Sequence, residues 1–116
     1  MTGSSSRLSI RIDLENGFRL GPGQIALLER VARLGSISAA GRDMNMSYRR
    51  AWQLVDEING IFGTPVVVPK SGGRNGGGAE LTALGKQLVD HYHRVAAAAA
   101  DAAEPHIRAI EKALRS

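Results

Sequence analysis

Apolar and polar side chains alternate from Arg7 onward: Leu8, Ile10, Ile12 and Leu14 fall on one face, Arg7, Ser9, Arg11 and Asp13 on the other. A period of two marks a half-buried strand. Asn16-Gly17 supplies the positive φ angles of a tight turn, and Phe18 and Leu20 restart an apolar face, so Arg7 to Leu20 predicts a β-hairpin or a strand and its return. Gly21-Pro22-Gly23 ends that pattern, and the period then changes to a helical one. Ile25, Leu28, Val31 and Ala32 make the apolar stripe of a first helix that stops at Gly35. Ser36 or Ser38 can cap a short second helix whose buried side would be Ala39, Ala40 and Met44. Asn45 suits a turn, and Ser47 suits the N-cap of a third helix with its stripe at Ala51, Val55, Ile58 and Phe62. Tyr48, Arg49, Trp52, Gln53 and Asp56 lie on the flanks and far side of that helix, which Gly60, Gly63 and Pro65 end.

Val66-Val67-Val68 is a strand candidate, and the prolines on either side favour an edge position. Lys70 to Gly78 is a loop, because five glycines in its last seven residues can hold neither helix nor sheet. Ala79-Glu80-Leu81 is the return strand, which gives a hairpin with a long, basic, glycine-rich tip. From Thr82 to Arg115, Leu84, Leu88, Tyr92, Val95, Ala99 and Ala102 recur by alternating fours and threes, close to a coiled-coil seam. Ala96 to Ala100 favours helix, and small residues on the seam would let two helices approach closely. Pro105 predicts a kink or break near Glu104, followed by a short helix carrying Ile107, Ile110 and Leu114.

The 116 residues are one domain's worth of chain and are 43% hydrophobic, enough to bury a core. Zero cysteines exclude disulfides, thiolate metal sites and cysteine nucleophiles, and accord with a reducing cytoplasm. Fifteen lysines and arginines against eleven acids leave a net charge of +4, which makes a polyanionic partner plausible. No apolar run approaches the roughly 20 residues of a membrane span, and Met1–Ser6 does not open a signal peptide. The expected location is therefore cytoplasmic.

Three short helices followed by a basic two-stranded hairpin is the order of a winged helix-turn-helix, a mainly α fold with little β. In that fold the third helix enters the major groove of double-stranded DNA with its early residues toward the bases. Arg49, Arg50 and Gln53 are the candidate base readers, since arginine grips guanine and glutamine grips adenine in two places. Ser47, Tyr48, Lys70 and Arg74 suit phosphates, and Ser71 and Asn75 complete the polar tip of the wing. Ser36 and Ser38 serve as caps, as phosphate contacts or as both. The single tryptophan, Trp52, either touches the DNA or closes the core as a lid.

Other chemistries find little support. The glycine-rich tip lacks the lysine and following helix of a P-loop. His91 and His93, two apart on a helix, diverge too far to hold one metal ion. Asp56 and Glu57 are adjacent on a helix and point apart, so no paired-carboxylate site forms, and nothing reads as an enzyme.

At these residues the chain resembles the N-terminal DNA-binding domain of the molybdate-responsive, ModE-type transcriptional regulators within the LysR-like winged-helix group. The likeness covers roughly Leu20 to Val95. It rests on Ile25-Ala26-Leu27-Leu28, Gly35-Ser36-Ile37-Ser38, Ser47-Tyr48 with Ala51-Trp52, Asn59, Gly72-Gly73, Gly76-Gly77-Gly78-Ala79, Leu81-Thr82 and Gly85. The resemblance implies a homodimer on a palindromic operator that controls molybdenum-related genes. Residues 1–82 would form the DNA-binding domain, with 1–6 disordered, and 83–116 the dimerisation helix. Members of the family continue into a C-terminal pair of small β-barrels that bind molybdate. Residues up to Ser116 supply no such pocket, so no cofactor is expected within this chain, and any molybdate response would run through a separate sensing partner. Two competing readings are a protein-interaction module on a winged-helix scaffold and an oxyanion sensor at the dimer interface.

Overall fold

The N-terminal alternation yields a small hairpin, far shorter than the sequence period suggests. The structure is a computed structural model that describes residues 8–70 and 78–116. The expected disorder of residues 1–6 therefore lies outside the described residues. Strand β1 (Ile12–Asp13) pairs antiparallel with β2 (Arg19–Leu20) in the register Ile12 to Leu20 and Asp13 to Arg19. Gly17, at φ 90°, makes the turn, and the Leu14 amide donates to the Phe18 carbonyl at 2.8 Å. Leu8 is exposed, and so are the turn residues 15–18, while Leu20 is buried at the end of the pairing away from the turn, where the hairpin meets the core.

Helix α1 (Pro22–Leu34) opens with proline at its first position, where a missing N–H costs nothing. It closes on Gly35 in the left-handed conformation, φ 76°. Leu27 joins Ile25, Leu28 and Val31 in its buried stripe, whereas Ala32 faces solvent. Helix α2 (Ile37–Asp43) is capped by Ser36, whose Oγ accepts from the Ala39 amide at 2.9 Å; Ser38 lies inside the helix. It buries Ile37, Ala40 and Gly41, with Met44 only partly covered and Ala39 half-exposed, so the apolar side begins two residues before the one expected.

Helix α3 (Tyr48–Phe62) is capped by Ser47, whose Oγ accepts from the Arg50 amide at 3.0 Å, and ends at Gly63 with φ 66°. Its buried face is Ala51, Leu54, Val55, Ile58 and Ile61, with Phe62 at the edge. The wing strands β3 (Val67–Pro69) and β4 (Ala79–Leu81) pair antiparallel, with Val67 opposite Leu81. Helices α1 to α3 and the wing root enclose one core, in which Leu27, Leu28, Val31, Ile58 and Val66 have no solvent exposure.

Helix α4 (Ala83–Arg115) starts at Thr82, whose Oγ1 accepts from the Gly85 amide at 3.1 Å. It runs unbroken through Pro105, so the expected break near Glu104 does not occur. A proline forfeits one backbone hydrogen bond, here to the Asp101 carbonyl, and Asp101 and Pro105 are both exposed, so water can satisfy that oxygen. Alanines before the proline, and the Glu104–Arg108 ion pair spanning it at 3.1 Å, favour the helix on both sides. The 33-residue helix is about 50 Å long and accounts for most of the molecule's 57 Å longest dimension. Among the described residues no helix is long and apolar enough to cross a membrane.

Candidate nucleic-acid interface

The α2–α3 pair is joined by a turn that the side chains dictate. Asn45 takes the left-handed conformation at φ 58°, which asparagine tolerates better than most residues. The Met46 amide then donates to the Gly41 carbonyl at 2.9 Å. Gly41 is buried because Ala51 of α3 lies against it, leaving no room for a larger residue. This close approach presents the early residues of α3 to solvent.

On that outer face Tyr48 is 63% and Trp52 40% exposed, their rings edge-to-face with centroids 6.1 Å apart. Arg49, Arg50 and Gln53 are exposed, and their side chains form no hydrogen bond or ion pair with another described residue. The contrast with α1 is informative. There Arg30 and Arg33 both reach Asp43, at 2.7 and 3.3 Å, and so brace α1 against the end of α2. Two guanidiniums and a carboxamide left unpaired on one short helix face are available for an external partner.

The wing stands beside that face and is clamped to it at the root. Asn59 of α3 accepts through Oδ1 from the amides of Val66 and Val67, at 2.7 and 3.2 Å. The Ala79 amide donates to the Gly35 carbonyl at 2.9 Å, and the Thr82 hydroxyl donates to Pro65 O at 2.9 Å. Beyond β3 the ladder continues with the Lys70 amide donating to Gly78 O at 3.0 Å. Lys70 is exposed at the start of the tip, whereas Ser71, Arg74 and Asn75 lie outside the described residues.

Between α3 and the wing lies a cleft of about 450 Å³, walled by Tyr48 and Trp52 on one side and Val68 and Pro69 on the other. Trp52 therefore belongs to the cleft wall and is not a closed lid on the core. Ser38 reaches the cleft, while the Ser36 hydroxyl is engaged in its cap. Asp56 contributes the only formal charge among the described residues lining the cleft. Spacing alone puts Asp56 on the flanks and far side of α3 and gives it no role, and it gives none to Asn59; a side chain clamping backbone seven residues ahead leaves no periodic trace.

The seam of α4 divides in two. Tyr92 is buried within its own chain, 6% exposed, and its hydroxyl donates to Ile10 O at 2.6 Å. Burial pushes its phenol pKa above the ordinary value of 10.0. Leu84 and Leu88 also pack against the chain's own core. Val95 and Ala102 remain exposed and Ala99 is half-exposed, and the open apolar surface continues through Ile110 and Leu114. His93 Nε2 lies 2.6 Å from Glu29 Oε2, joining α4 to α1. Among the described residues no group of histidines and carboxylates is placed to hold a metal ion.

Comparison with known proteins places this architecture. Residues 22–86 match the family described as bacterial regulatory helix-turn-helix protein, lysR family. The chain is 40% identical over 99 residues to the molybdenum-pterin-binding protein MopB of Rhodobacter capsulatus, covering 84% of this chain and 37% of that protein. It is 37% identical over 92 residues to the molybdenum transport protein ModE of Azotobacter vinelandii, covering 79% and 34%. To the DNA-binding transcriptional dual regulator ModE of Escherichia coli K12 it is 33% identical over 91 residues, covering 78% and 35%. The chain thus spans little more than a third of the length of these relatives. In fold it is similar to the crystal structure of the CbnR_DBD-DNA complex, with a TM-score of 0.60 at 19% identity over 76% of this chain and 95% of that one. Full-length CbnR complexed with its target DNA gives a TM-score of 0.56 at 19% identity, covering 72% and 27%. The chain belongs to the lysR family of bacterial regulatory helix-turn-helix proteins.

Proposed function

We propose that the chain binds double-stranded DNA sequence-specifically, as the reading and dimerising part of a transcriptional regulator of molybdenum-related genes. The observation that carries this reading is the row of unpaired Arg49, Arg50 and Gln53 beside a clamped wing. Free arginine and glutamine at the start of an exposed helix match the hydrogen-bonding edges of guanine and adenine in the major groove. Ser47, Tyr48, Ser38 and Lys70, with Ser71, Arg74 and Asn75 of the wing tip and the backbone around Ser36, would hold the phosphates. Trp52 would pack on a sugar or base edge at the cleft.

A second copy would join along α4, through Val95, Ala99, Ala102 and the exposed apolar residues beyond them. Leu84, Leu88 and Tyr92 are engaged with their own chain and would set the angle at which α4 leaves it. Two reading heads related by a two-fold axis require a palindromic operator with half-sites one or more helical turns apart. Relatives named for molybdenum support the choice of target genes, and molybdate would act through a separate sensing domain or partner. Such a regulator works in the cytoplasm. Selection from a pool of random duplexes tests the proposal: an inverted repeat should emerge, and recovery of no consensus would contradict it.

A further inference from the structure

The short hairpin 8–20 precedes residues 22–86, the part that matches the family, and it touches both ends of the proposed machinery. At its turn, the Asn16 Nδ2 donates to the Ile61 carbonyl in the last turn of α3, at 3.0 Å. The Phe18 amide donates to the Asn16 Oδ1 at 3.2 Å, which fixes the orientation of the carboxamide. Carbonyls in the last turn of a helix lack intrahelical partners, so this bond satisfies one of them from outside. At the other end, Ile10 O receives the Tyr92 hydroxyl of α4 at 2.6 Å. Between these two ties Leu20 is buried in the core, and Ile12 and Leu14 pack against it. Most of the other packing of α4 on the body is against α1 and β4, with Gly85 also set close against Val66.

We propose that this hairpin is a strap that sets the angle between α3 and α4, and that Asn16 and Tyr92 are positioning residues for the distance between two DNA-reading heads. The inference rests on the proposed dimeric reading of DNA. In a dimer joined along α4, the lever between the reading head and the distal helix is comparable with the molecule's 57 Å length. A tilt of a few degrees over such a lever displaces the head by about one base-pair rise, 3.4 Å. Neither residue lies on the outer face of α3, so loss of a tie alters spacing and leaves the reading of one half-site untouched.

The test uses the full chain and the selected operator, with spacers lengthened and shortened by one base pair, beside a duplex carrying a single half-site. Wild type should lose about tenfold in affinity for each altered spacer, because both heads no longer engage together. Asn16→Ala and Tyr92→Phe, confirmed folded by thermal melting, should flatten that dependence to about threefold or less while half-site affinity stays within about twofold. Asn16 is exposed, so its variant remains informative if the tyrosine variant fails to fold. A spacer profile identical to wild type would overturn the strap, as would an equal loss on the half-site and the operator. A wild type with no spacer preference would instead contradict the dimeric reading beneath it.

Discussion

Gly41 of α2 lies tightly against Ala51 of α3: a Cβ placed on Gly41 would stand 2.9 Å from the Cβ of Ala51. The neighbouring atom belongs to a short, rigid side chain, so the helices themselves would have to part. Gly41→Ala should therefore destabilise by about 1–3 kcal/mol, the usual range for overpacking a filled core. For a domain of this size each kcal/mol lowers the melting midpoint by about 4 °C. A thermal melt superimposable on wild type would show that the two helices have room to spare.

The α3 face and the wing should respond differently to truncation. Arg49→Ala should relax preference at one base pair, since a two-point contact with a base is worth about 1–3 kcal/mol of discrimination. Lys70→Ala should weaken operator and scrambled duplexes alike and reduce the salt slope by about one. Competition binding against a panel of single-base operator variants separates the two, and matching profiles for both variants would contradict the division of roles.

Among the described residues, Asp56 is the one charged side chain lining a cleft that should face polyanion. It lies two helical turns, about 12 Å, along α3 from Tyr48, where the wall of a groove of similar width brings phosphates close. Neutralising it should help binding to any duplex. Asp56→Asn should raise affinity about fivefold, the effect of one like charge at 4 Å in water, and steepen the salt slope by up to ~0.9. Weaker operator binding would show that the carboxylate receives a base amino group instead.

Asn59 holds the wing root by two amides, so Asn59→Ala leaves Val66 and Val67 without their acceptor. Stranding part-buried donors costs about 1–3 kcal/mol. Hydrogen exchange at those two amides should accelerate strongly, while the amides of α1 keep their protection relative to global unfolding. Unchanged exchange at Val66 and Val67 would mean that the wing root is held without Asn59, by its strand pairing and the bonds of Ala79 and Thr82.

Tyr92 gives the fold an alkaline limit. Its phenol pKa is raised by burial, whereas the unfolded chain ionises near 10.0. The stability it contributes is complete below that unfolded value and declines as pH rises through the higher folded value. Chemical denaturation should show stability falling from about pH 10 upward in wild type, with a shallower fall in Tyr92→Phe. Identical slopes would remove Tyr92 from the account.

Local signals explain how much of this was legible in the sequence. Gly35, Ser47 and Gly63 mark helix boundaries through their own backbone chemistry, and each stands where the pattern places it, whereas Pro22, expected within a break, is the first residue of α1. The wing strands are readable from Val66-Val67-Val68 and Ala79-Glu80-Leu81, and the exposed outer face of α3 from the side opposite its stripe. What escaped depends on contacts between distant residues. Asn16 was visible as a turn residue, but its bond to Ile61 spans 45 positions. Tyr92 has the spacing of a seam residue, and only the fold shows that Ile10 claims it. Pro105 carries a local signal to break the helix, and the exposure of α4 removes the penalty behind that signal.

The most direct measurement is a fluorescence-anisotropy titration of the chain against its selected operator and a scrambled duplex, across a range of salt. The account predicts operator binding at least about a thousandfold tighter than scrambled at physiological salt, with both affinities falling steeply as salt rises. Equal affinity for the two duplexes, or no binding to either, would contradict it and turn attention to protein partners of α4.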